Sequence, residues 1–325
     1  MTAYNVIRGL KVKYLGSDPS NPENGEVWYN TSSNTLKIKN VLIPSGTGTW
    51  GSGGSLPAVN NGLAGAGTQT SGLVFGSRTG PQSSSAYEYD GSSWSGGGGL
   101  NNPQGNNNGA GSQSAGLSFG GGPSGSPTNK TEEYNGSSWS NVNNMGFTRT
   151  LAAGSGTQIS AVVATGYSNG TRAQTYDGTN WSTISNVGSP RYSVGAAGDS
   201  DSAFVMFGGY ISGANKTLTE EWNGTGWSEQ NDMNNARQLY SGGCGTQSVA
   251  LAAGGGPDSN KVESYNGTSW SNENNLATAR RSGAAGSQSG TASFFAGGRN
   301  GGTDQSITEE FTTPLSLGVG TISTV

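Results

Sequence analysis

The sequence has no histidine, a single cysteine and few charged residues. Without histidine there is no His-based catalytic triad and no histidine general base, and most zinc and copper sites are excluded. Because Cys244 has no second cysteine to join, an internal disulfide is excluded. We therefore expect no bound metal, no cofactor and no catalytic residue of these classes.

The sequence also lacks a long basic segment and a long apolar segment. No basic stripe runs along a chain whose net charge is −4, so we expect no nucleic-acid partner. No window approaches about 18 consecutive apolar residues, so we expect no membrane insertion. The N-terminal residues lack the continuous apolar run of a secretory signal, so none is expected.

Glycine is abundant instead, with 58 residues, and Ser, Asn and Thr are common. Glycine and asparagine are poor helix formers, and they suit many short strands joined by tight turns. Glycine follows no three-residue period, which excludes collagen. Recurring apolar and aromatic positions give a core something to bury, which argues against disorder. The composition therefore predicts an all-β protein.

One seven-residue motif recurs through the chain. It reads YNGSSWS at 134–140, and variants begin at Tyr89, Tyr176, Trp222 and Tyr265. The repeat tryptophans are spaced by 44, 45, 42, 46 and 43 residues: Trp50, Trp94, Trp139, Trp181, Trp227 and Trp270. Periods of about 40 to 50 residues are typical of propeller blades or repeat arrays.

Each repeat reads as four strands. A run of tiny residues forms the first strand and an apolar run forms the second. The third strand ends at an aromatic residue and the fourth begins at the repeat tryptophan. Asn-Gly or Asp-Gly stands between the last two strands, because these pairs tolerate the positive φ of a tight hairpin turn.

This layout resembles the kelch-repeat β-propellers. The resemblance covers roughly residues 50–311. Three single residues carry the resemblance: a Glu two residues before the third-strand aromatic, the repeat Trp, and an Arg ten residues after that Trp. The fourth feature is a double glycine that ends strand two, as at Gly208-Gly209, Gly254-Gly255 and Gly297-Gly298. It implies a fold but says little about function, since propellers host many activities.

The ends of the repeat region complement each other. The chain enters at a fourth strand with Trp50 and leaves at a third strand with Phe311. Pairing these strands would complete a sixth blade and remove an exposed sheet edge. We therefore predict a six-bladed kelch-like β-propeller over residues 46–312, closed by an N-terminal strand. Residues 1–45 would form a small β-hairpin module and residues 313–325 a C-terminal tail.

The N-terminal segment GEVWYNTSSNTLKIKN, residues 25–40, reads as a β-hairpin. It resembles the G-x-x-W-Y-N hairpins of tailed-bacteriophage structural proteins. The YDGSSW style of kelch-like repeat similarly resembles virion proteins of marine phages. These resemblances imply a virion protein that is made in the host cytoplasm. They also imply docking to other virion proteins through residues 1–45 and an oligomeric state on the particle.

Four arginines stand ten residues after their repeat tryptophan: Arg149, Arg191, Arg237 and Arg280. Two interpretations are open. They could form an anion or acidic-sugar site at the channel mouth. Alternatively, they could pair with the glutamates two residues before the third-strand aromatics, Glu132, Glu220, Glu263 and Glu309. We favour pairing, because Arg191, Arg237 and Arg280 each have such a glutamate in the same repeat.

Catalysis has weaker support. Six-bladed sialidases carry an S-x-D-x-G-x-T-W box, which the adjacent Asp90-Gly91 do not match. Two carboxylates alone could serve a glycosidase, but Asp199 and Asp201 fall at a predicted turn. Cys244 is expected to be a small buried side chain.

The loops between the second and third strands vary most in length and composition, and binding usually resides in such loops. Each carries one basic residue: Arg78, Lys130, Arg172, Lys216, Lys261 and Arg299. We expect these side chains to form a basic rim that binds a partner, such as a host-surface glycan. The sequence thus predicts a non-enzymatic virion protein for host adhesion or particle decoration. The alternative is a free carbohydrate-binding or carbohydrate-cleaving propeller.

Overall fold

The computed structural model describes residues 12–20, 26–44, 46–122, 126–167, 170–286 and 288–322, and every regular element in these ranges is a β-strand. The fold is therefore all-β, as the composition predicts. The chain divides into two compact units. The terminal unit comprises residues 1–47 and 313–325, and the large unit comprises residues 48–312.

The terminal unit is one four-stranded sheet made from both ends of the chain. Its strands, numbered in chain order, are β1 (Lys13–Leu15), β2 (Val27–Asn30), β3 (Thr35–Pro44) and the last strand of the chain, β32 (Leu315–Ile322). Strand β1 is parallel to β2, β2 and β3 form the predicted hairpin, and β32 is antiparallel to β3. Leu315–Ile322 thus form a strand where the sequence predicts a tail over residues 313–325. Their partner strand lies almost the whole chain away, so no local pattern reveals it.

The W-Y-N motif holds the hairpin of this unit. Trp28 is fully buried, and its Nε1 donates a 3.0 Å hydrogen bond to Asp18 Oδ1. Asn30 Nδ2 donates to the same oxygen, and Asn30 Oδ1 accepts from the backbone N–H groups of Ser32 and Ser33. Asn30 therefore joins the hairpin turn to the loop that covers Trp28. These hydrogen bonds, that of Asn30 first, lower the pKa of Asp18.

The large unit contains six four-stranded antiparallel sheets among the residues described. The first sheet contains β5 (Ala64–Thr68), β6 (Ser71–Ser77), β7 (Ser83–Tyr89) and β8 (Trp94–Gly96). The second contains β9 (Asn108–Gly111), β10 (Gly116–Phe119), β11 (Thr131–Tyr134) and β12 (Trp139–Asn141). The third contains β13 (Ala153–Thr157), β14 (Ser160–Ala164), β15 (Ala173–Tyr176) and β16 (Trp181–Ile184).

The fourth and fifth sheets repeat this order. The fourth contains β17 (Gly195–Ser200), β18 (Ala203–Phe207), β21 (Thr219–Trp222) and β22 (Trp227–Gln230), with a small hairpin of β19 (Tyr210–Ile211) and β20 (Ala214–Asn215) in its second-to-third loop. The fifth contains β23 (Gly243–Gly245), β24 (Ala250–Ala253), β25 (Val262–Tyr265) and β26 (Trp270–Asn272). This succession of similar sheets is propeller-like.

The sixth sheet takes its fourth strand from the start of the large unit. It contains β27 (Ala284–Ala285), β28 (Ala292–Ala296), β31 (Thr308–Thr312) and β4 (Thr49–Gly53), and its second-to-third loop holds β29 (Arg299–Asn300) and β30 (Thr303–Asp304). In the antiparallel pair β31–β4, Phe311 stands opposite Trp50, with ring centroids 5.1 Å apart. The pairing predicted from the two chain ends is therefore present.

The recurring motif is the turn between the third and fourth strands. In the second sheet, Asn135 Oδ1 accepts hydrogen bonds from the backbone N–H groups of Ser137 and Ser138, each at 3.0 Å. Gly136 has a φ of 89°, which a residue with a side chain adopts only with strain. Tyr134 and Trp139 then stand opposite each other with ring centroids 5.0 Å apart. The fixed spacing of the motif thus makes the hairpin and pairs two core aromatics.

The tiny residues of the first strands allow neighbouring sheets to come close. A Cβ atom on Gly65 would lie 2.1 Å from the carbonyl oxygen of Ala285, in the first strand of the sixth sheet. No side chain fits there without moving the backbone. The glycine-rich runs at this position therefore set the close approach of one sheet to the next.

Backbone hydrogen bonds tie every sheet to the connection that leads to the next sheet. The residue at the second double-glycine position donates its backbone N–H to the carbonyl of the residue ten after the tryptophan of the same sheet. The six bonds, 2.7 to 3.1 Å long, are Ser77 to Gln104, Gly121 to Arg149, Gly166 to Arg191, Gly209 to Arg237, Gly255 to Arg280 and Gly298 to Asn60. In the last of them, Asn60 lies in the connection from β4 of the sixth sheet to β5 of the first.

Candidate functional site

The arginines ten residues after the repeat tryptophans are buried in the connections between sheets. Arg191 Nη1 lies 2.5 Å from Glu220 Oε1, and Arg237 with Glu263 and Arg280 with Glu309 form the same ion pair. Burial lowers the pKa of all three arginines, and the glutamate partner opposes this shift. Glu220 Oε2 also accepts a 2.7 Å hydrogen bond from the backbone N–H of Gly188, in the connection between sheets. These three arginines therefore hold the sheets together, as the pairing interpretation predicts.

Arg149 is the exception in this series. It is fully buried, and Gln174 stands where the partners of Arg191, Arg237 and Arg280 are glutamates. Its Nη2 donates to Gln174 Oε1 at 3.4 Å and its Nη1 to the carbonyls of Thr165 and Arg172 at 3.3 Å, while its Nε has no partner. Burial first, and Arg172 second, lower the pKa of Arg149 to about 10. The third sheet thus holds a cation without a carboxylate.

Glu132 shows the converse arrangement in the second sheet. Gln104 occupies the arginine position, and Glu132 accepts hydrogen bonds from the backbone N–H groups of Asn101 and Asn102 at 2.7 and 3.0 Å. Both polar side-chain atoms of Gln104 are buried without a partner. The glutamate therefore anchors the connection between sheets even where no arginine is present.

A second series of carboxylates links one sheet to the next. Tyr134 Oη donates to Glu88 at 2.6 Å, and Tyr89, Tyr176 and Tyr265 donate in the same way to Glu310, Glu133 and Glu221. Where the aromatic lacks this hydroxyl, at Trp222 and Phe311, the preceding sheet has Thr175 and Ser264 instead of glutamate. Burial first, and the glutamates second, raise the pKa of Tyr89 and Tyr134 to about 12.

The other sequence candidates lie in ordinary structural positions. Asp199 is exposed near the end of β17, and Asp201 lies in the turn that follows, where its backbone N–H donates to Ser160 Oγ and its carbonyl accepts from Trp222 Nε1. Cys244 is buried, and burial raises the pKa of its thiol to about 12. Among the described residues, no three His, Cys, Asp or Glu side chains are grouped so as to hold a metal. In the same ranges, no helix is long and apolar enough to span a membrane.

The six basic loop residues lie at one edge of the sheets. Because the strands are antiparallel, each second-to-third loop lies at the same edge as the connections between sheets. We call this edge the loop face. Arg78, Lys130, Arg172 and Lys261 are exposed there, whereas Lys216 and Arg299 are half-buried. Of these six, Arg299 forms an ion pair, with Asp304 at 3.5 Å, and the Arg172 guanidinium lies 4.3 Å from the centroid of the Phe147 ring.

All six sheets contribute to one small cavity. Its lining residues come from the first strands and the connections that precede them: Gly65, Asn108, Gly109, Ala152, Gly154, Ser155, Val194, Ala196, Tyr240, Ser241, Gly243 and Ala285. Its volume is about 20 Å³, room for about one water molecule. Asn108 is 7% exposed, and its Nδ2 has no hydrogen-bond partner among the residues that the structure describes.

Tyrosines cluster on the loop face, and one of them lines this cavity. Tyr192 is in contact with Tyr167 and Tyr210, with ring centroids 5.3 and 5.5 Å apart. Tyr240 lines the cavity, and its pKa is raised by burial first and lowered in part by Arg281 and Arg78. The sequence analysis missed this group. The available signal was that the residue eleven after the repeat tryptophan differs in every copy: Asn61, Gly105, Thr150, Tyr192, Gln238 and Arg281.

Comparisons with known proteins identify a fold. No protein-family model and no curated protein sequence matches the chain. Among solved structures, the chain is similar to the structure of YjhT, with a TM-score of 0.66 and 12% sequence identity. The match covers 81% of this chain and 98% of that one. At this level of identity the likeness shows a shared fold. The function must be argued from this chain's own residues.

Proposed function

We propose that the six sheets are the blades of a closed, six-bladed, kelch-like β-propeller. Three features support this. The first strands of the first and sixth sheets lie so close that a Cβ on Gly65 would stand 2.1 Å from the carbonyl oxygen of Ala285. One cavity is lined by residues from all six sheets. The strand with Trp50 completes the sheet that ends at Phe311.

We infer that this propeller is a non-enzymatic binding part of a tailed-bacteriophage virion and that its loop face adheres to an anionic host surface. The observation that carries the inference is the arrangement of the loop face. Four exposed basic residues, Arg78, Lys130, Arg172 and Lys261, stand there in a chain of net charge −4. Among the described residues, none of the four forms an ion pair with a carboxylate. They are therefore available to a negatively charged partner.

The use of the carboxylates supports binding rather than hydrolysis. A glycosidase needs two carboxyl groups that flank the scissile bond. In the large unit, Glu220, Glu263 and Glu309 are taken up by buried arginines, and Glu88, Glu133, Glu221 and Glu310 by tyrosines of the next sheet. Removing either series would weaken the scaffold.

The terminal unit would attach the protein to other virion proteins. This part of the proposal rests on the resemblance of its W-Y-N hairpin to those of tailed-phage structural proteins. The compactness of residues 1–47 with 313–325 supports a module with a task of its own. Antibody labelling of purified particles, viewed by electron microscopy, tests it. Label should decorate intact particles and be absent from particles whose copy lacks residues 1–47 and 313–325.

Adhesion tests the role of the loop face. The variant Lys130→Ser, Arg172→Ser, Lys261→Ser removes three exposed positive charges from it. We expect weaker adhesion to host cells and a smaller dependence of the remainder on salt, because salt screens exposed charges. The matched control Ser138→Glu, Thr179→Glu, Thr268→Glu lowers the net charge equally, but at exposed turns between the third and fourth strands. It should adhere like the unmodified protein. Equal adhesion by the loop-face variant at low and high salt would contradict the proposal.

A further inference from the structure

The loop face is chemically uneven around the cavity. The scaffold positions repeat from sheet to sheet, but the residues beside the cavity do not. Sheets three to five supply tyrosines, and sheets six and one supply arginines. We call this group the axial mouth and define it by Tyr167, Tyr192, Tyr210, Tyr240, Arg78 and Arg281.

The aromatic half of the axial mouth is continuous. Tyr192 is in contact with Tyr167 and Tyr210, and the backbone N–H of Tyr240 donates to the carbonyl of Ser193, the residue after Tyr192. Tyr167 is 39% exposed, and the other three are half-buried. Backbone bridges from Thr150 to Tyr167 and from Tyr192 to Tyr210 fix where these rings stand. Such rings offer apolar surface and hydroxyl groups together.

The two arginines of the axial mouth, Arg78 and Arg281, form its cationic half and lie on the same face as the tyrosines. Arg281 pairs with Asp258 and keeps 32% of its side chain exposed. Arg78 is exposed, and its Cγ lies 2.7 Å from where a Cβ of Gly62 would stand, so its stem crosses Gly62. Gly62 in turn donates its backbone N–H to Ser282, beside Arg281. Arg281 and Arg78 lower the pKa of Tyr240, whereas burial raises it.

The cavity behind the axial mouth limits what can bind. At about 20 Å³ it admits nothing larger than water. A ligand must therefore lie on the mouth, across the tyrosines, and cannot enter between the sheets. One ring of a longer polymer, lying against the tyrosines, fits this shape. The exposed guanidinium of Arg78, on the same face as the tyrosines, suits a unit that carries a carboxylate on an otherwise uncharged ring.

We propose that the axial mouth binds one acidic sugar unit of a surface polysaccharide, with the tyrosines against the ring and Arg78 on the carboxylate. This inference rests on the proposed function of the loop face and names the ligand class and the residues. It gives the basic rim a distinct role, which is to attract the anionic surface, whereas the mouth recognises the sugar.

Titration calorimetry with three polymers tests the inference. Polygalacturonate supplies acidic sugars, dextran supplies neutral sugars, and polyphosphate supplies charge without sugar. We expect binding to polygalacturonate, none to dextran, and binding to polyphosphate weaker by about tenfold or more, because it offers nothing for the tyrosines to contact. No binding of polygalacturonate, or equal binding of either other polymer, would overturn the proposal.

Variants separate the two halves of the mouth. Arg78→Gln should weaken polygalacturonate binding by about tenfold or more. Tyr192→Leu should weaken it by about threefold to tenfold, whereas Tyr192→Phe keeps the ring and stays close to the unmodified protein. Ser138→Glu lowers the net charge by the same amount as Arg78→Gln, but at an exposed turn between the third and fourth strands, and serves as the control that should bind like the unmodified protein. Thermal unfolding shows that each variant is folded. Unchanged binding by folded Arg78→Gln or Tyr192→Leu would overturn the inference.

Cell adhesion distinguishes this inference from the proposed function. If the triple rim variant loses adhesion while Arg78→Gln and Tyr192→Leu adhere normally, the axial mouth is not the sugar site and the loop-face function stands. If the triple rim variant adheres normally, the loop-face function itself fails. Loss of adhesion by both sets supports both.

Discussion

The indole Nε1 of Trp94 donates a 2.9 Å hydrogen bond to Thr308 Oγ1, across 214 residues of sequence. Trp181 with Thr131 and Trp270 with Thr219 make the same bond between neighbouring sheets. In each case the threonine is the first residue of the third strand in the preceding sheet. Where this position is Ala86 or Val262, the indole N–H of Trp139 or Trp50 is buried without a partner.

Val262→Thr should therefore stabilise the protein. Threonine has nearly the shape of valine, and its hydroxyl would accept the unpartnered indole N–H of Trp50, which packs in the same cluster as Val262. We expect the free energy of unfolding to rise by about 1 kcal/mol. The mirror-image control, Thr219→Val, should lower it by about 1 to 2 kcal/mol by leaving Trp270 Nε1 without a partner. Urea unfolding measures both, and a loss of stability in Val262→Thr would contradict the repeated bond.

Gln174→Glu should give Arg149 the carboxylate that its counterparts have. The gain expected in urea unfolding is about 1 to 3 kcal/mol, since a hydrogen bond to a charged group would replace the 3.4 Å contact with an amide. Glu220→Gln copies the Arg149 arrangement at Arg191 and serves as the matched comparison. It should cost about 3 kcal/mol or more, because it leaves a buried cation unpaired. If both variants shift stability in the same direction, the arginines do not depend on the glutamates.

Alkaline pH should weaken the contacts between sheets. The pKa of Tyr89 and Tyr134 is raised from 10.0 to about 12 in the folded protein. A raised folded-state pKa gives a contribution that is complete below the unfolded value and is lost as the pH rises through the folded value. We expect the free energy of unfolding to fall between pH 10 and about 12.

The double variant Tyr89→Phe, Tyr134→Phe should show a shallower fall over the same range. Tyr14→Phe is a suitable control, because Tyr14 is 73% exposed in the terminal unit. A fall that is equally steep in the double variant would show that other groups cause it.

The repeat pattern predicts much of the scaffold and little of the axial mouth. The chain enters the repeats at a fourth strand and leaves them at a third strand, which predicts the pairing of Trp50 with Phe311. The Arg280–Glu309 ion pair follows from two positions within one repeat. Strand β32 could not be predicted, since its register with β3 has no counterpart elsewhere in the chain. Tyr192 and Arg281 occupy equivalent positions but differ in chemistry, so a search for recurring residues passes over them.

The sequence carries a signal for the Trp–Thr hydrogen bonds between sheets. Thr131, Thr219 and Thr308 all stand three residues before the third-strand aromatic. What the sequence alone does not show is that the indole of one repeat reaches the preceding repeat rather than its own. That direction depends on how the sheets pack, which three-dimensional contacts such as Trp270 Nε1 to Thr219 Oγ1 reveal.

Both the loop face and the axial mouth require the six sheets to form a closed ring. A pair of cysteines that joins β4 to β31 tests this closure most directly. Thr49 and Thr312 are exposed and stand opposite each other in β4 and β31, and opposed residues of antiparallel strands lie within reach of a disulfide. In a Cys244→Ala background, Thr49→Cys with Thr312→Cys should oxidise to an intramolecular disulfide, seen by mass spectrometry of the joined peptides, and should resist urea more strongly than the reduced form. Two thiols that stay reduced in the folded protein and react freely with an alkylating reagent would contradict the closed ring.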